Sequence, residues 1–177
     1  MESSEDIRRP ELPLEQGSQL LLSLSSTQSA MNHLPADASQ NLIVVSSKPS
    51  EEVANGLAEA GVNLNTVAHV PISGSEMTYD GQMYTCEALV PDDLTGLSMR
   101  LSRAFEALES DGYLLVENLN VFLMYASESR VVRFVNHMTG MAGGHDITGI
   151  YTLLGDTVSE ETYEQFRLSV DTELDGL

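Results

Sequence analysis

Residues 42–53 read LIVVSSKPSEEV, and this stretch decides the fold class. Residues 42–45 form an unbroken apolar run of strand length, which is typical of a strand covered on both faces. A helix start follows directly: Ser50 is a favoured N-cap, and Glu51 and Glu52 bring negative charge into the first turn, where the helix dipole favours it. The stretch therefore predicts a buried strand followed by a helix that covers it.

The same alternation continues outward in both directions. Short apolar runs predict further strands at residues 19–24, 66–70, 113–116, 147–154 and 168–174. Helical spacing of apolar residues predicts helices at residues 51–60, 94–110, 127–141 and 159–166. Because strands that alternate with helices are typical of parallel sheets, we predict an α/β fold of three layers, α/β/α, with a mainly parallel sheet of about five or six strands.

The charge balance excludes two classes of partner. The chain has 177 residues, with 27 Asp and Glu against 8 Lys and Arg, a formal net charge of −19. Binding to nucleic acid requires clustered Lys and Arg, and an anionic membrane surface repels an acidic chain, so we expect neither partner. Only Lys48 is a lysine, and an acidic, lysine-poor composition favours a halophilic source, because molar salt shortens the Debye length to about 3 Å and screens self-repulsion. The alternative is an acidic protein from an ordinary cytoplasm.

The domain organisation is simple. Residues 1–16 are predicted to be a mobile, acidic N-terminal tail without a signal peptide, and residues 17–177 a single domain.

Cys86 is the only cysteine, which excludes an intrachain disulfide and suits a reducing cytoplasm. The four histidines lack the spacing of a zinc site, so no metal is expected.

From residue 17 onward, the order of elements resembles the RecA-like ATPase core, a P-loop NTPase-like fold, and in particular the KaiC-like domains of archaea. Four segments carry the resemblance: residues 20–26 in the place of the strand that enters the phosphate loop, LIVVSSKPSEEV at 42–53, DLTGLSMRLSRAFEALESDG at 93–112, and YLLVENLNVFLMY at 113–125 in the place of the Walker B strand. No single motif is specific; the combination and the order carry the likeness.

The sequence departs from that family where phosphate is handled. A phosphate loop needs glycines, so that backbone N–H groups can surround phosphate, and a lysine for the β and γ phosphates. Residues 25–30 read SSTQSA and contain neither. After the second strand, where the family has acidic residues that polarise the attacking water, the chain has Ser47 and Lys48. In place of the Walker B Asp it has Glu117, followed by Asn118.

The resemblance with these departures implies a non-catalytic module, regulatory or protein-binding, that has lost ATP hydrolysis, holds no cofactor and binds protein partners or itself. Its vestigial nucleotide pocket would consist of Ser25, Ser26, Thr27, Glu117 and Asn118, and its degenerate water-positioning site of Ser47 and Lys48. An alternative is a nucleotide or small-ligand sensor, or an ATPase, that uses Glu117 for metal and Ser26 or Thr27 for phosphate. A third interpretation is that Glu117 only makes local hydrogen bonds at a strand end.

A second candidate site lies in residues 76–85, where an Asp-Gly pair between two short arms predicts a protruding hairpin. Its soft and aromatic side chains are of the kind enriched at protein interfaces, namely Met77, Tyr79, Met83 and Tyr84. The alternative is that one face of the hairpin covers the edge of the sheet.

Overall fold

The computed structural model describes residues 11–35, 37–38, 41–76, 78–108 and 111–177. Within them the strands are β1 (Gln19–Leu24), β2 (Leu42–Ser46), β3 (Val67–Pro71), β4 (Tyr84–Thr85), β5 (Tyr113–Val116), β6 (Thr148–Leu154) and β7 (Thr172–Asp175). The α-helices are α1 (Ser50–Glu59), α2 (Leu94–Ala107), α3 (Asn120–Tyr125), α4 (Glu128–Gly144) and α5 (Glu160–Arg167). Short 3-10 turns lie at Ala30–His33, Leu64–Thr66 and Gly155–Thr157.

Every pairing between the described strands is parallel, and their order across the sheet is β4-β3-β2-β5-β6-β1-β7. The α/β class is therefore confirmed, with seven described strands instead of five or six. The additional strand is β4, whose two residues pair with Ala68 and His69 of β3. At the opposite edge, β7 pairs among described strands only with β1 and carries Glu173 and Asp175.

The sheet lies between two layers of helices, because strand side chains alternate between its faces. On one face, Leu21 of β1 packs in a cluster with Leu101 of α2 and Phe134 of α4. On the other face, Leu22 packs with Leu57 of α1. Each fully buried side chain of this kind contributes about 1.5–3 kcal/mol, so the two clusters hold the predicted three layers together.

The N-terminal boundary of the packed chain lies before residue 17. Residues 1–10, which form most of the predicted tail, lie outside the described residues. Of the remainder, Leu12 is 5% exposed and belongs to the cluster around α1. Its backbone N–H donates to the carbonyl of His33 at 3.0 Å. Leu12, within the predicted tail, therefore packs against the domain that we predicted to begin at residue 17.

The predicted hairpin at residues 76–85 is wrong for the part that is described. Tyr84 and Thr85 form the edge strand β4, which runs parallel to β3 instead of pairing with residues 78–80. Met83 is 4% exposed and packs in the cluster around α1. Pairing with β3 therefore outweighs the local preference of the Asp-Gly pair for a hairpin turn. The Met83 side chain, next to the paired residues, is buried in the same arrangement.

One helix was not predicted, and another is longer than predicted. The apolar run NVFLMY forms α3, a helix that the sequence interpretation did not assign. The helix predicted at residues 127–141 is longer in the structure, because α4 continues through Gly144 despite the glycines at 140, 143 and 144. Met138 and Ala142 of α4 are fully buried, and this packing offsets the roughly 1 kcal/mol that each glycine costs in a helix.

A buried histidine joins β3 to the start of α1. His69 is 0% exposed, and its Nε2 lies 3.3 Å from the carbonyl oxygen of Ser46. Because a carbonyl only accepts, Nε2 carries the proton, and Nδ1 accepts from the Ser50 hydroxyl at 2.9 Å. Ser50 was predicted to be the N-cap of α1, but Pro49 holds that position without a side-chain cap. The Ser50 hydroxyl satisfies the histidine instead.

We expect this histidine to make the protein less stable in mild acid. Burial lowers the pKa of His69 below 6.5, and the contact with the Ser46 carbonyl opposes this only in part. Below pH 6.5 the unfolded chain therefore binds a proton that the folded chain excludes. The free energy of unfolding should fall by up to about 1.4 kcal/mol per pH unit until the folded pKa is reached.

Chemical denaturation of the wild type and His69→Asn at pH 7.5, 6.5 and 5.5 measures this effect. The wild type should lose more stability than the variant over this range, since the acidic side chains contribute equally to both. An identical slope, or an NMR titration of the His69 ring with its pKa at or above 6.5, would contradict the assignment.

Candidate functional site

The candidate site lies where four neighbouring strands end. The carboxyl ends of parallel strands meet at one edge of a sheet, and open α/β sheets bind ligands there. A pocket of about 160 Å³ opens at the ends of β1, β2, β5 and β6. We call it the strand-end pocket; it is lined by Leu24, Ser25, Ser26, Gln28, Ser29, Ala30, Lys48, Glu117, Asn118, Thr152, Leu153 and Leu154.

An internal ion pair connects two walls of the strand-end pocket. Lys48, which follows β2, places Nζ 3.0 Å from Oε1 of Glu117, which follows β5. The same Oε1 accepts from the Ser46 hydroxyl at 3.3 Å. The Glu117 side chain is 12% exposed and that of Lys48 41%. The ammonium group in this pocket is therefore already neutralised by a carboxylate of the same chain.

The backbone fixes Glu117 and Asn118 in place. The N–H of Glu117 donates to the Val45 carbonyl at 2.8 Å and extends the pairing of β5 with β2 by one residue. Asn118 adopts a φ of +65°, which an L-residue other than Asn or Asp rarely adopts, and its N–H donates to Thr152 Oγ1 at 2.8 Å. Two buried acceptors, Glu117 Oε2 and Asn118 Oδ1, have no hydrogen-bond partner among the described residues.

The loop after β1 makes several hydrogen bonds within itself. The N–H of Ser25 donates to Oε1 of Gln28 at 3.1 Å, and the N–H of Gln28 donates to the Ser25 carbonyl at 3.1 Å. The hydroxyls of Ser25 and Thr27 lie 3.2 Å apart. Ser29 then accepts from the N–H of Met31 and caps the following 3-10 turn. The Ser25 N–H therefore donates within the loop. It lies at the place where a phosphate loop presents donors to its ligand.

The strand-end pocket brings together some of the predicted residues and leaves out others. Of the five residues predicted for the nucleotide pocket, Ser25, Ser26, Glu117 and Asn118 line it, and Thr27 does not. Lys48, which we assigned to a separate water-positioning site with Ser47, lines the same pocket. Ser47 is exposed and outside it.

The sequence interpretation missed Gln28 and Thr152. Gln28 closes the loop after β1, and Thr152 holds Asn118. Thr152 stands inside an apolar strand, so no local signal marked it. Gln28 lies three residues after Ser25, and at this spacing a polar side chain can accept a hydrogen bond from the backbone. This spacing was a weak sequence signal for the role of Gln28.

The residues of the second candidate site do not form one exposed surface. Met77 lies outside the described residues. Met83 is buried, and its N–H lies 3.2 Å from the hydroxyl of Tyr79, a half-buried residue. Of the three described residues, Tyr84 alone has a largely exposed side chain, at 70% exposure.

A wider depression of about 930 Å³ lies beside these residues and is lined by Glu51, Asp80 and Glu87 among others. None of the described residues that line this depression is cationic, and it lies at the end of the edge strand β4, whose last residue, Thr85, lines it.

The described residues show neither a group of metal ligands nor a membrane-spanning helix. No three His, Cys, Asp or Glu side chains in the described ranges are grouped so that they could hold a metal ion. No helix in the same ranges has the length and apolar character needed to cross a bilayer.

Comparisons with known proteins agree on the fold. A family model described as a family of unknown function, DUF7504, matches residues 17–175. Among solved structures, the protein PH0250 from Pyrococcus horikoshii OT3 superimposes with a TM-score of 0.65 at 14% identity, over 91% of this chain and 82% of that one. The KaiC-like protein PH0186 from the same archaeon gives a TM-score of 0.62 at 10% identity, over 92% of this chain and 73% of that one. No curated protein matches the sequence significantly. At these identities the structural likeness shows the KaiC-like, RecA-like fold alone.

Proposed function

The chain belongs to DUF7504, a family of unknown function, and from that premise we propose that it is a non-catalytic, RecA/KaiC-like regulatory or protein-interaction module that does not hydrolyse ATP. One observation carries the proposal. The lysine of the strand-end pocket is paired with Glu117 at 3.0 Å and offers no net positive charge to a phosphate.

The electrostatic balance supports this proposal. A nucleoside triphosphate brings about three to four negative charges, and phosphoryl transfer depends mainly on neutralising and positioning that charge. The Lys48–Glu117 pair contributes zero net charge, and the chain as a whole stands at −19. A triphosphate in the strand-end pocket would therefore meet repulsion without a compensating cation from the described lining.

The dimensions of the pocket support the same proposal. Pockets that enclose drug-sized ligands have volumes of about 300–1,000 Å³, whereas the strand-end pocket has about 160 Å³. Residues 25–30 contain no glycine, so each carries a Cβ where a phosphate loop needs exposed backbone. The Gln28 side chain, moreover, already occupies the N–H of Ser25.

A second candidate function is a small-ligand sensor that uses the same pocket. The observation that favours it is the pair of unpartnered buried acceptors, Glu117 Oε2 and Asn118 Oδ1. An unpaired buried acceptor costs about 1–3 kcal/mol, and a small ligand with hydrogen-bond donors would recover part of that cost. Melting temperatures measured across a set of small amines and nucleosides would reveal it as a ligand-dependent rise.

Titration calorimetry with ATP and ADP, with and without Mg²⁺ at about 1 M KCl, tests the proposal. We expect no binding heat at micromolar ligand and no phosphate release from Mg²⁺-ATP above the blank. Glu117→Gln provides the informative comparison, because it keeps the side-chain shape and frees the Lys48 ammonium. This variant should bind pyrophosphate more tightly than the wild type, whereas Ser47→Ala, a change outside the pocket, should not. Micromolar affinity of the wild type for ATP would overturn the proposal.

A further inference from the structure

The positive charge of this acidic chain is concentrated on two helices. α2 and α4 together carry Arg100, Arg103, Arg130 and Arg133 against Glu106 and Glu128. Four arginines against two glutamates give these helices a net charge of +2, in a chain whose net charge is −19. The two helices pack side by side on the same face of the sheet.

A groove of about 310 Å³ runs between these helices. We call it the arginine groove; it is lined by Leu94, Thr95, Ser98, Arg130, Arg133, Phe134 and His137. Its floor is apolar, because Leu94 and Phe134 are 6% and 4% exposed. Its walls present hydrogen-bond donors: two hydroxyls from α2, and two guanidinium groups and an imidazole from α4. Although the chain has 27 acidic residues, none is among the described residues that line this groove.

One of the two arginines is unengaged. Arg130 donates Nη2 to the Asp92 carbonyl oxygen at 3.1 Å, which holds its guanidinium at the end of the groove. Arg133 is exposed and makes no ion pair or hydrogen bond with any described residue. The nearby Asp93 carboxylate is committed to capping α2, since it accepts from the N–H of Gly96 at 2.9 Å. The arginine groove therefore keeps one guanidinium that no described carboxylate pairs with directly, although Glu128 and Glu161 line a neighbouring depression that Arg133 also borders.

From this geometry we infer that the arginine groove docks an acidic peptide segment of a protein partner. Guanidinium groups bind carboxylates through paired hydrogen bonds, and an apolar floor accepts an aliphatic side chain between the carboxylates. Nucleic acid fits less well, because its long run of phosphates would extend from the groove onto the acidic remainder of the surface. A short peptide places only a few charges, all of them within the groove. The inference rests on the proposed interaction role, but not on the nucleotide chemistry of the strand-end pocket.

Fluorescence anisotropy with a short labelled peptide of Asp and Glu that contains two leucines tests this inference. The full chain should bind the peptide saturably, and Arg133→Glu should weaken binding at least fivefold, since Arg133 has no other described partner whose loss would unfold the chain. Arg103→Glu is the matched control: it makes the same charge change at an exposed arginine of α2 that does not line the groove. This control should change the affinity less than twofold. Amide shifts in NMR spectra should map to residues 95–98 and 130–137.

Three results would overturn the inference: no saturable binding of the acidic peptide, equal weakening by both charge reversals, or light scattering that shows a dimer which Arg133→Glu dissociates. The last result would assign the groove to a second copy of the chain. Arg133 lies outside the lining of the strand-end pocket, so a failure here would leave the calorimetric result on ATP unaffected.

Discussion

Replacing Lys48 with methionine should lower the free energy of unfolding by about 2 kcal/mol. The substitution leaves the Glu117 carboxylate, whose side chain is 12% exposed, without its cation, and Oε2 of that carboxylate already has no described partner. Breaking a fully buried pair costs about 3–5 kcal/mol, but Lys48 is 41% exposed, and water reaching that side reduces the penalty. Chemical denaturation at constant KCl measures the change.

A double-mutant cycle separates the ion pair from the loss of side-chain packing. Glu117→Gln removes the carboxylate, so Lys48→Met added to it should cost less than it does in the wild type. We expect a coupling energy of about 1–2 kcal/mol between the two positions. Strictly additive effects would show that the pair at 3.0 Å contributes nothing to folding and would weaken the claim that it occupies the pocket.

Replacing Gly149 with alanine should cost about 3 kcal/mol, the largest loss that we expect from removing a glycine here. Gly149 lies in β6 opposite Gln19 of β1, and a Cβ at this position would meet Oε1 of Gln19 and come within 2.8 Å of Cε2 of Tyr151. Neither side chain can move away cheaply. Gln19 is 2% exposed and Tyr151 0%, and the Tyr151 hydroxyl donates to Gln19 Oε1 at 2.8 Å.

The hydrogen bonds around Gln19 explain why the neighbours cannot yield. Its Nε2 donates to the Ile147 carbonyl at 2.8 Å, so both ends of the amide are held. Burial raises the pKa of Tyr151 well above its ordinary value, so the phenol keeps its proton and remains a donor. Gly140→Ala is the control, because a Cβ there meets nothing within 4 Å and the residue lies in α4. It should stabilise by about 0.5–1 kcal/mol. A melting curve of Gly149→Ala equal to that of the wild type would contradict the predicted clash.

The sequence predicted the layers of the fold well. Its buried strands are continuous apolar runs, and in its longer helices apolar residues recur with the helical period. It failed where pairing in space overrides local signals. Tyr84 and Thr85 follow an Asp-Gly pair typical of a hairpin, yet they pair in parallel with β3. The glycines of α4 predict a break, yet the buried side chains of Met138 and Ala142 keep the helix intact.

The candidate site was predictable only in part, for a related reason. Glu117 and Asn118 stood out because they follow a buried strand at its carboxyl end. Lys48 was placed in a different site, because the contact between Lys48 and Glu117 requires β2 and β5 to be neighbours, and no local pattern states which strands are adjacent. The same adjacency brings the Ser46 hydroxyl to Glu117.

The acidic strand β7 has a consequence for how molecules of this protein meet one another. Its outer edge leaves main-chain groups unpaired among the described residues, and such an edge invites a strand from a second molecule to add to it and begin a fibril. Glu173 and Asp175 place carboxylates along that margin, and Tyr163 donates to Glu173 at 2.7 Å, which orients one of them. Two such margins repel each other at neutral pH as long as salt does not screen the charges, so we expect this side of the sheet to resist the addition of a second molecule's strand most strongly at low salt.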